Sequence, residues 1–193
     1  MFNFERQANG TQGIVASEAQ KLTAEQQQRD AFETHRHRVF SVSYYMTSNE
    51  VEAEAILTGT FVQAFKAAPK PDGDDVDKAL LAELEQRFTL SHAPHATPDS
   101  AVQMERGQVR RTDLEEAVAM LPARERLIFL LRDVEGYAAL KIAALLRCDD
   151  LEVQKTLISA RIRMRNELGR LRMLAQEQAD TQEADIEEAT AAS

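Results

Sequence analysis

The most regular hydrophobic pattern of the chain lies between residues 153 and 171. Its apolar positions are three or four residues apart, so they share one face of an α-helix: Val153, Leu157, Ala160, Met164, Leu168 and Leu171. The positions across from them are mostly polar or basic, with Ile158 and Ile162 as apolar exceptions. The pattern predicts a long amphipathic helix with a buried stripe and a basic outer surface.

Two shorter helical patterns precede this one. Pro122 suits a first helical position, and the apolar run after it ends near Gly136, a residue that favours a left-handed stop. Residues 138–146 form the second pattern, and a break over residues 147–150 follows, in which Asp149 or Asp150 is suited to cap the long helix. Such a short turn between two helices predicts a helix-turn-helix.

A helix-turn-helix whose second helix is long and basic is the arrangement that places a recognition helix in the DNA major groove. The same pattern is compatible with a plain three- or four-helix bundle that has a solvated basic face. The charge distribution supports the DNA interpretation. The chain has a net charge of −9, yet residues 110–172 hold 13 Lys and Arg against 10 Asp and Glu. Basic charge is therefore concentrated around the predicted recognition helix.

This stretch resembles the fourth conserved region of the extracytoplasmic-function sigma factors. The resemblance is carried by Leu121-Pro122, by Leu-Arg-Asp-Val-Glu-Gly at residues 131–136, by Ile142-Ala143 and by Ala160-Arg161. It implies an all-α protein with an N-terminal helical domain like sigma region 2, a flexible linker and a C-terminal helix-turn-helix domain like sigma region 4.

The resemblance also places the recognition-helix positions at residues 152–161 and assigns roles to side chains on this helix. Gln154 would read a base edge and Ile158 would touch a thymine methyl group. The phosphate contacts would come from four basic side chains: Lys155, Arg161, Arg163 and Arg165. The chain departs from the family at Thr156, where an Arg is usual, and at Arg147, where a turn Gly is common.

Two helices are predicted in the N-terminal half. Thr23 and Gln26 resemble a capping box that opens the first, and Ser48 or Asn49 would cap the second, which Pro69 stops. The second helix has a predicted shared face made of Val51, Ala55, Thr58, Phe61, Val62 and Phe65. This pair resembles the hairpin with which the family's second conserved region binds the clamp of RNA polymerase. Ala55, Thr58 and Gly59 stand where members carry an Asp and a Gln-Glu pair.

An acidic helix is predicted over residues 76–88. The family has a basic, Trp-containing helix here, which opens the downstream promoter element and holds the separated strand. In this chain residues 50–86 carry 9 acidic and 3 basic residues, and the sequence has no Trp. Binding of a single strand needs stacking aromatics and positive charge. We therefore expect weak strand opening.

The expected domain organisation has five parts. Residues 1–22 are expected to be a mobile leader, 23–90 the first helical domain, 91–112 a linker and 113–172 the helix-turn-helix domain. Residues 173–193 hold six acidic and no basic residues and are expected to be a disordered tail.

Several kinds of site are not expected. Cys148 is the single cysteine, which excludes an internal disulfide and a cysteine-based zinc site. His92 and His95, or His35 and His37, lack a third metal ligand nearby. The sequence shows no signal peptide, membrane span, phosphate loop or nucleophile motif. We expect a cytoplasmic protein that is not an enzyme and needs no cofactor.

The function that this combination favours is that of a sigma-like transcription initiation factor. The resemblance implies core RNA polymerase and promoter DNA as partners and admits an anti-sigma factor. Two alternatives stay open at this point. One is a helix-turn-helix regulator that is not a polymerase subunit. The other is a sigma-like adaptor or decoy that binds proteins, with Ile158 and Ile162 as partner contacts.

Overall fold

A computed structural model describes residues 8–97 and 109–191, and within those ranges it describes side chains from residue 23 to residue 182, except that of Ala179. Seven helices are present in this part of the chain: α1 (Ala8–Thr47), α2 (Glu50–Ala67), α3 (Gly73–Arg87), α4 (Arg111–Ala119), α5 (Ala123–Phe129), α6 (Ala139–Leu146) and α7 (Asp150–Ala191). A π-helical turn, Leu130–Val134, follows α5 directly. No strand occurs in the described ranges, so the predicted all-α class is confirmed.

Both termini of the described backbone are more helical than predicted. α1 begins at Ala8, so the expectation of little order is wrong for residues 8–22, and Thr23 lies inside a helix instead of capping one. α7 continues to Ala191 through the tail that was expected to be disordered. The tail is rich in Ala, Glu and Gln, and in both stretches extending an existing helix is far easier than nucleating a new one.

The chain divides into two compact units. The first contains residues up to Ser43 together with Glu50–Arg87, and the second contains Tyr44–Asn49 and Phe88–Ser193. Of the predicted linker 91–112, residues 91–97 are not helical, residues 98–108 lie outside the described ranges, and α4 begins at Arg111. In the described ranges, no helix is both long enough and apolar enough to cross a membrane.

The core of the first unit is built from α1, α2 and α3. Its buried apolar side chains are Val39, Val42, Ala53, Ile56, Phe61, Ala64, Val76, Ala79, Leu80 and Leu84. The face predicted for α2 is wrong at four of its six positions: Val51 is 76% exposed and Val62 45% exposed, and Ala55 and Thr58 are also exposed. Phe61 is buried as predicted, and Phe65 is half-buried. The buried side of α2 consists of Ala53, Ile56, Thr60, Phe61 and Ala64, so small residues alternate with two large apolar ones.

α3 is acidic, but two of its carboxylates are buried inside the first unit. Asp77 is 3% exposed and accepts a hydrogen bond from Arg38 Nη2 at 2.7 Å. Glu83 is 7% exposed and accepts from Gln63 Nε2 and, at 2.7 Å, from Arg87 Nη1. These carboxylates therefore join α3 to its neighbours and are not part of an acidic outer surface.

Gly59 leaves room for the Glu83 carboxyl group. A Cβ atom at position 59 would lie 2.6 Å from Glu83 Cδ and 2.7 Å from both carboxyl oxygens. The glycine that weakens the interior of α2 is thus required by a buried polar contact between α2 and α3.

We expect Gly59→Ala to lower the melting temperature of the protein, although Ala is favoured over Gly in a helix interior by about 1 kcal/mol. The added methyl group would push the Glu83 carboxylate away from Gln63 and Arg87. In a Glu83→Ala background the same substitution should raise stability, because the clash is gone and the helix preference is left. Circular dichroism melts of the four chains give this double-mutant cycle. A stabilising effect of Gly59→Ala in both backgrounds would contradict the steric explanation.

Candidate nucleic-acid interface

The turn between α6 and α7 has the geometry of a helix-turn-helix. Arg147 ends α6 in the left-handed conformation with φ of 55°, and its N–H donates to the carbonyl of Ala143. A side chain other than Gly is strained there by roughly 1–2 kcal/mol, which explains why a turn Gly is common at this position in the family. Asp149 then caps α7, since its Oδ1 accepts from the Glu152 N–H at 2.6 Å. The predicted capping role of Asp149 is confirmed.

The predicted stripe forms the buried side of α7. Val153 and Ala160 are fully buried, and Leu157, Met164 and Leu171 are at most 9% exposed. They pack in the second unit with the apolar residues of its other helices: Ala117, Val118, Leu121, Leu127, Ile128, Leu130, Leu131, Ile142 and Ala143. Leu168 is only half-buried. The stripe fixes which side of α7 faces outward.

Most of the predicted DNA-binding residues share that outward side. Gln154, Lys155, Ile158, Arg161 and Arg165 are exposed, and a period of 3.6 residues places them on one surface of α7. Ile158 is 57% exposed, which is high for an isoleucine. Gln154 Nε2 donates to Asp150 Oδ2 at 2.5 Å, so this amide is oriented by the first turn of the helix. The structure thus brings five of the six predicted residues together.

Arg161 is held by an acidic neighbour on this surface. Its Nε and Nη2 donate to the two carboxyl oxygens of Asp133 at 2.9 and 2.7 Å. The hydrogen bond to Asp133 raises the pKa of Arg161, so the guanidinium stays charged. The ion pair is bidentate, so it orients the Arg161 guanidinium and also neutralises part of its charge. The sequence does not reveal this partner, because 28 residues separate the two positions.

Arg163 lies on the side of α7 opposite Gln154 and is not part of the exposed surface described above. Its Nε lies 3.0 Å from Oε2 of Glu125, a side chain that is 2% exposed. Its Nη2 donates to the carbonyl of Pro94 at 2.6 Å. This predicted phosphate contact is therefore 35% exposed on the opposite side of α7, where its charge is matched by a buried carboxylate.

The inner side of α7 also carries polar residues that the hydrophobic pattern missed. Thr156 is 4% exposed and Ser159 is 1% exposed. Ser159 Oγ donates to Glu125 Oε1 at 3.0 Å. A spacing of three from Thr156 to Ser159 and of four from Ser159 to Arg163 is the one sequence signal that these residues share a face.

No arrangement for metal or thiol chemistry is visible in the described residues. No group of three or more His, Cys, Asp or Glu side chains there is placed to hold a metal ion. Cys148 is half-buried, and burial raises the pKa of its thiol, which keeps it protonated. Burial therefore makes the Cys148 thiol a weaker nucleophile.

Comparisons with known proteins agree with this geometry. Residues 111–164 match the family model described as "Sigma-70, region 4". The fold is similar to that of the sigma factor RpoE from Bartonella quintana, solved in complex with the anti-sigma factor NepR. The TM-score is 0.57 at 18% identity, and the match covers 72% of this chain and 95% of that one. No curated protein matches the sequence. The predicted likeness of the C-terminal part to sigma region 4 is thus confirmed over residues 111–164, and the all-helical fold is shared with a sigma factor.

Proposed function

From the sigma-70 region 4 match over residues 111–164, we propose that this chain is a sigma-like initiation factor that binds core RNA polymerase and contacts promoter DNA through α7. The observation that carries the proposal is the exposed surface of α7 next to a helix-turn-helix. Gln154, Lys155 and Arg165 are exposed on this surface. In the proposal Gln154 meets a base edge, and Lys155 and Arg165 meet phosphates. Because Arg163 is bound internally, we leave it out of the proposed interface.

In the first unit, α2 lacks side chains that the resemblance implies for binding to polymerase. Ala55 and Thr58 are exposed on α2, at positions where the resemblance implies charged or amide side chains. Without these groups the contact loses charge-assisted hydrogen bonds and depends more on shape and apolar area. We propose that α2 still binds the polymerase and that the affinity is lower than is usual in the family. The complex of RpoE with an anti-sigma factor also supports an anti-sigma partner for this chain.

One observation favours a second candidate, an adaptor that binds proteins. Leu151 and Ile158 are each 57% exposed and lie seven residues apart on the outward side of α7. A DNA-reading surface needs polar side chains, and exposed apolar residues are more typical of a protein interface. The two candidates predict opposite results when DNA binding is measured against salt concentration.

Phosphate contacts by α7 are expected to show in the salt dependence of binding to duplex DNA. Lys155→Ala should lower the slope of log affinity against log salt by about one, as for one lost phosphate contact. Fluorescence anisotropy with the full chain and a labelled duplex measures this slope. Arg170→Ala is the matched control, because Arg170 is an exposed arginine about four turns further along the same helix, where it pairs with Glu167 at 2.6 Å. For Arg170→Ala, the slope of log affinity against log salt should equal that of the unmodified chain.

Equal slopes for Lys155→Ala and the unmodified chain would remove α7 from the DNA interface. Absence of binding at low salt, together with retained binding to core polymerase or to an anti-sigma factor, would identify the adaptor.

Asp133→Asn is expected to increase DNA affinity at low salt. The change removes one negative charge beside the interface and releases Arg161 to meet a phosphate. We expect a gain of roughly fivefold, equivalent to about 1 kcal/mol for an ion pair near the surface. Glu115→Gln is the control, since Glu115 pairs with Arg111 on α4 in a similar exposed contact. An equal gain in DNA affinity from both substitutions would mean that only the net charge matters. If Asp133→Asn gives no gain in DNA affinity in an Arg161→Ala background, the effect is due to Arg161.

A further inference from the structure

The charge of α7 changes sign along the length of the helix. Residues 155–172 hold six basic residues and one acidic residue, whereas residues 173–193 hold six acidic residues and no basic one. α7 runs without a break from Asp150 to Ala191, so both stretches belong to one helix. We call residues 155–172 the basic block and residues 173–191 the acidic arm. The helix therefore carries positive charge before negative charge.

The acidic arm extends past the part of α7 that packs in the second unit. Among the side chains described up to residue 182, Leu171 is the last one of the helix that is buried. From Arg172 to Gln182 the described side chains are exposed, except that of Ala175, which is half-buried. Met173 is 63% exposed, which is high for a methionine. The described part of the arm thus presents a helical surface to solvent.

The exposed surface of the arm continues the proposed DNA-facing surface of α7. Asp180 follows Arg165 by 15 residues, and both side chains are exposed. At 100° per residue, this separation turns Asp180 only about 60° around the helix axis from Arg165. At 1.5 Å per residue, it also places the two residues roughly 22 Å apart along the helix, so their charges cannot meet within one chain. Contact between the arm and Arg165 therefore requires a second copy.

We propose that the acidic arm binds the basic block of a second copy of this chain, with the two α7 helices antiparallel, and that this dimer covers the DNA-facing surface. A parallel pair places like charges side by side, whereas an antiparallel pair sets each basic block against an acidic arm. The antiparallel pair has two-fold symmetry, so the contact between Arg165 and Asp180 is made twice. The midpoint between these two residues falls beside Met173, so this exposed apolar side chain lies near the two-fold axis.

The chain itself supplies a partner that matches in charge and in length. The basic block and the arm have nearly the same number of residues, which is about 27 Å of helix each at 1.5 Å per residue. Ile158 is 57% exposed and Ile162 is half-buried, so the basic block also carries apolar surface that phosphate contacts do not need. Met173 adds such surface to the arm. Charge, length and apolar contacts all favour a second copy.

The regulatory part of this inference rests on the proposed function, in which α7 contacts promoter DNA. Lys155, Ile158 and Arg165 belong to both surfaces, so DNA and a second copy compete for the same side of α7. Dimer formation then lowers the amount of chain that can bind DNA, and added DNA dissociates the dimer to the same thermodynamic extent. Self-association itself is measured without polymerase or DNA.

The test is charge reversal in the full chain, followed by sedimentation equilibrium at low salt. Arg165→Glu and Asp180→Arg each replace two attractive contacts of the dimer by two repulsive ones. Each should therefore raise the dissociation constant of the dimer at least about tenfold. Because both positions are exposed, each variant should keep the circular dichroism and melting temperature of the unmodified chain. Added salt should weaken the unmodified dimer.

An equimolar mixture of the two variants tests the antiparallel arrangement. In a mixed dimer the introduced carboxylate of one chain faces the introduced guanidinium of the other, and Asp180 faces Arg165 at the second contact. The mixture should therefore dimerise about as strongly as the unmodified chain. Arg170→Glu is the matched control, because the exposed Arg170 lies about 140° around the helix from Arg165. This variant should dimerise as the unmodified chain does.

Each result decides the inference. A monomer at every concentration at low salt would overturn it, as would a dimer that neither charge reversal weakens. Failure of the mixture to restore dimers would show that another surface joins the copies, and would overturn it too. A labelled DNA duplex should convert dimers into DNA-bound monomers, and binding of the duplex to an intact dimer would contradict the shared surface. If the mixture restores the dimer and no form of the chain binds the duplex, the proposed function is wrong and the dimer is established.

Discussion

Val153→Asp is expected to unfold the second unit. Val153 has no exposed surface, and it lies in the first turns of α7, where that helix packs on the rest of the unit. An aspartate there would be an unpaired charge in an apolar environment or would have to be protonated, and either costs several kcal/mol. That loss is a large fraction of the roughly 5–15 kcal/mol that stabilises a typical domain. Circular dichroism at 222 nm and the melting temperature of the full chain measure the effect.

Ile158→Asp is the matched control for this substitution. Ile158 lies in the same helix and is 57% exposed, so its aspartate stays in water. We expect a change within about 0.5 kcal/mol, as for an ordinary surface position. Equal melting temperatures for Val153→Asp and the unmodified chain would mean that the stripe is not the buried face of α7.

Features that depend on local spacing could be predicted from the sequence. The stripe on α7 follows from a period of 3.6 residues, and the burial of Val153 and Ala160 agrees with it. Gly136 adopts a φ of 73° where a left-handed stop was expected. Both features need only neighbours within one or two helical turns, which the sequence gives directly.

Features that depend on distant partners could not be predicted. From the sequence, Arg163 is predicted to be one more basic residue of the recognition helix. The structure shows that it binds Glu125, which lies 38 residues earlier in the chain. Gly59 reads as a weak point of α2 until Glu83 is seen against it. Residues 90–97 are predicted as a linker because their contacts with Ser159 and Arg163 use backbone groups, which every residue has and which the sequence therefore does not distinguish.

Strand opening needs basic and aromatic side chains that can hold a single DNA strand, and α3 has few of them. Arg38 and Arg87 are the basic side chains that pair with α3, and both bind buried carboxylates of that helix, Asp77 and Glu83. Residues 50–86 carry 9 acidic against 3 basic residues, and the chain has no Trp. Lys78 is thus the one exposed basic residue of α3 that is not paired with a buried carboxylate, and α3 carries no aromatic residue that could stack on a displaced DNA strand.

We therefore expect this protein with core polymerase to open a relaxed linear promoter poorly. Separating each base step costs a few kcal/mol of unstacking and unpairing, and holding the displaced strand normally offsets that cost. Negative supercoiling of the DNA lowers the free-energy cost of separating the strands. Permanganate reactivity of unpaired thymines should accordingly be at least about tenfold higher on a supercoiled plasmid than on the same plasmid relaxed, a difference of about 1.4 kcal/mol or more.

Two controls make this expectation specific to α3. Core polymerase without the protein gives the background reactivity on both templates. Glu85→Lys adds a positive charge at an exposed position of α3 and should raise opening of the relaxed template, whereas Glu85→Gln, which only removes the negative charge, should raise it less. Efficient opening of the relaxed plasmid by the unmodified protein would show that the first unit captures the strand by other side chains, and that the acidic character of α3 does not limit initiation.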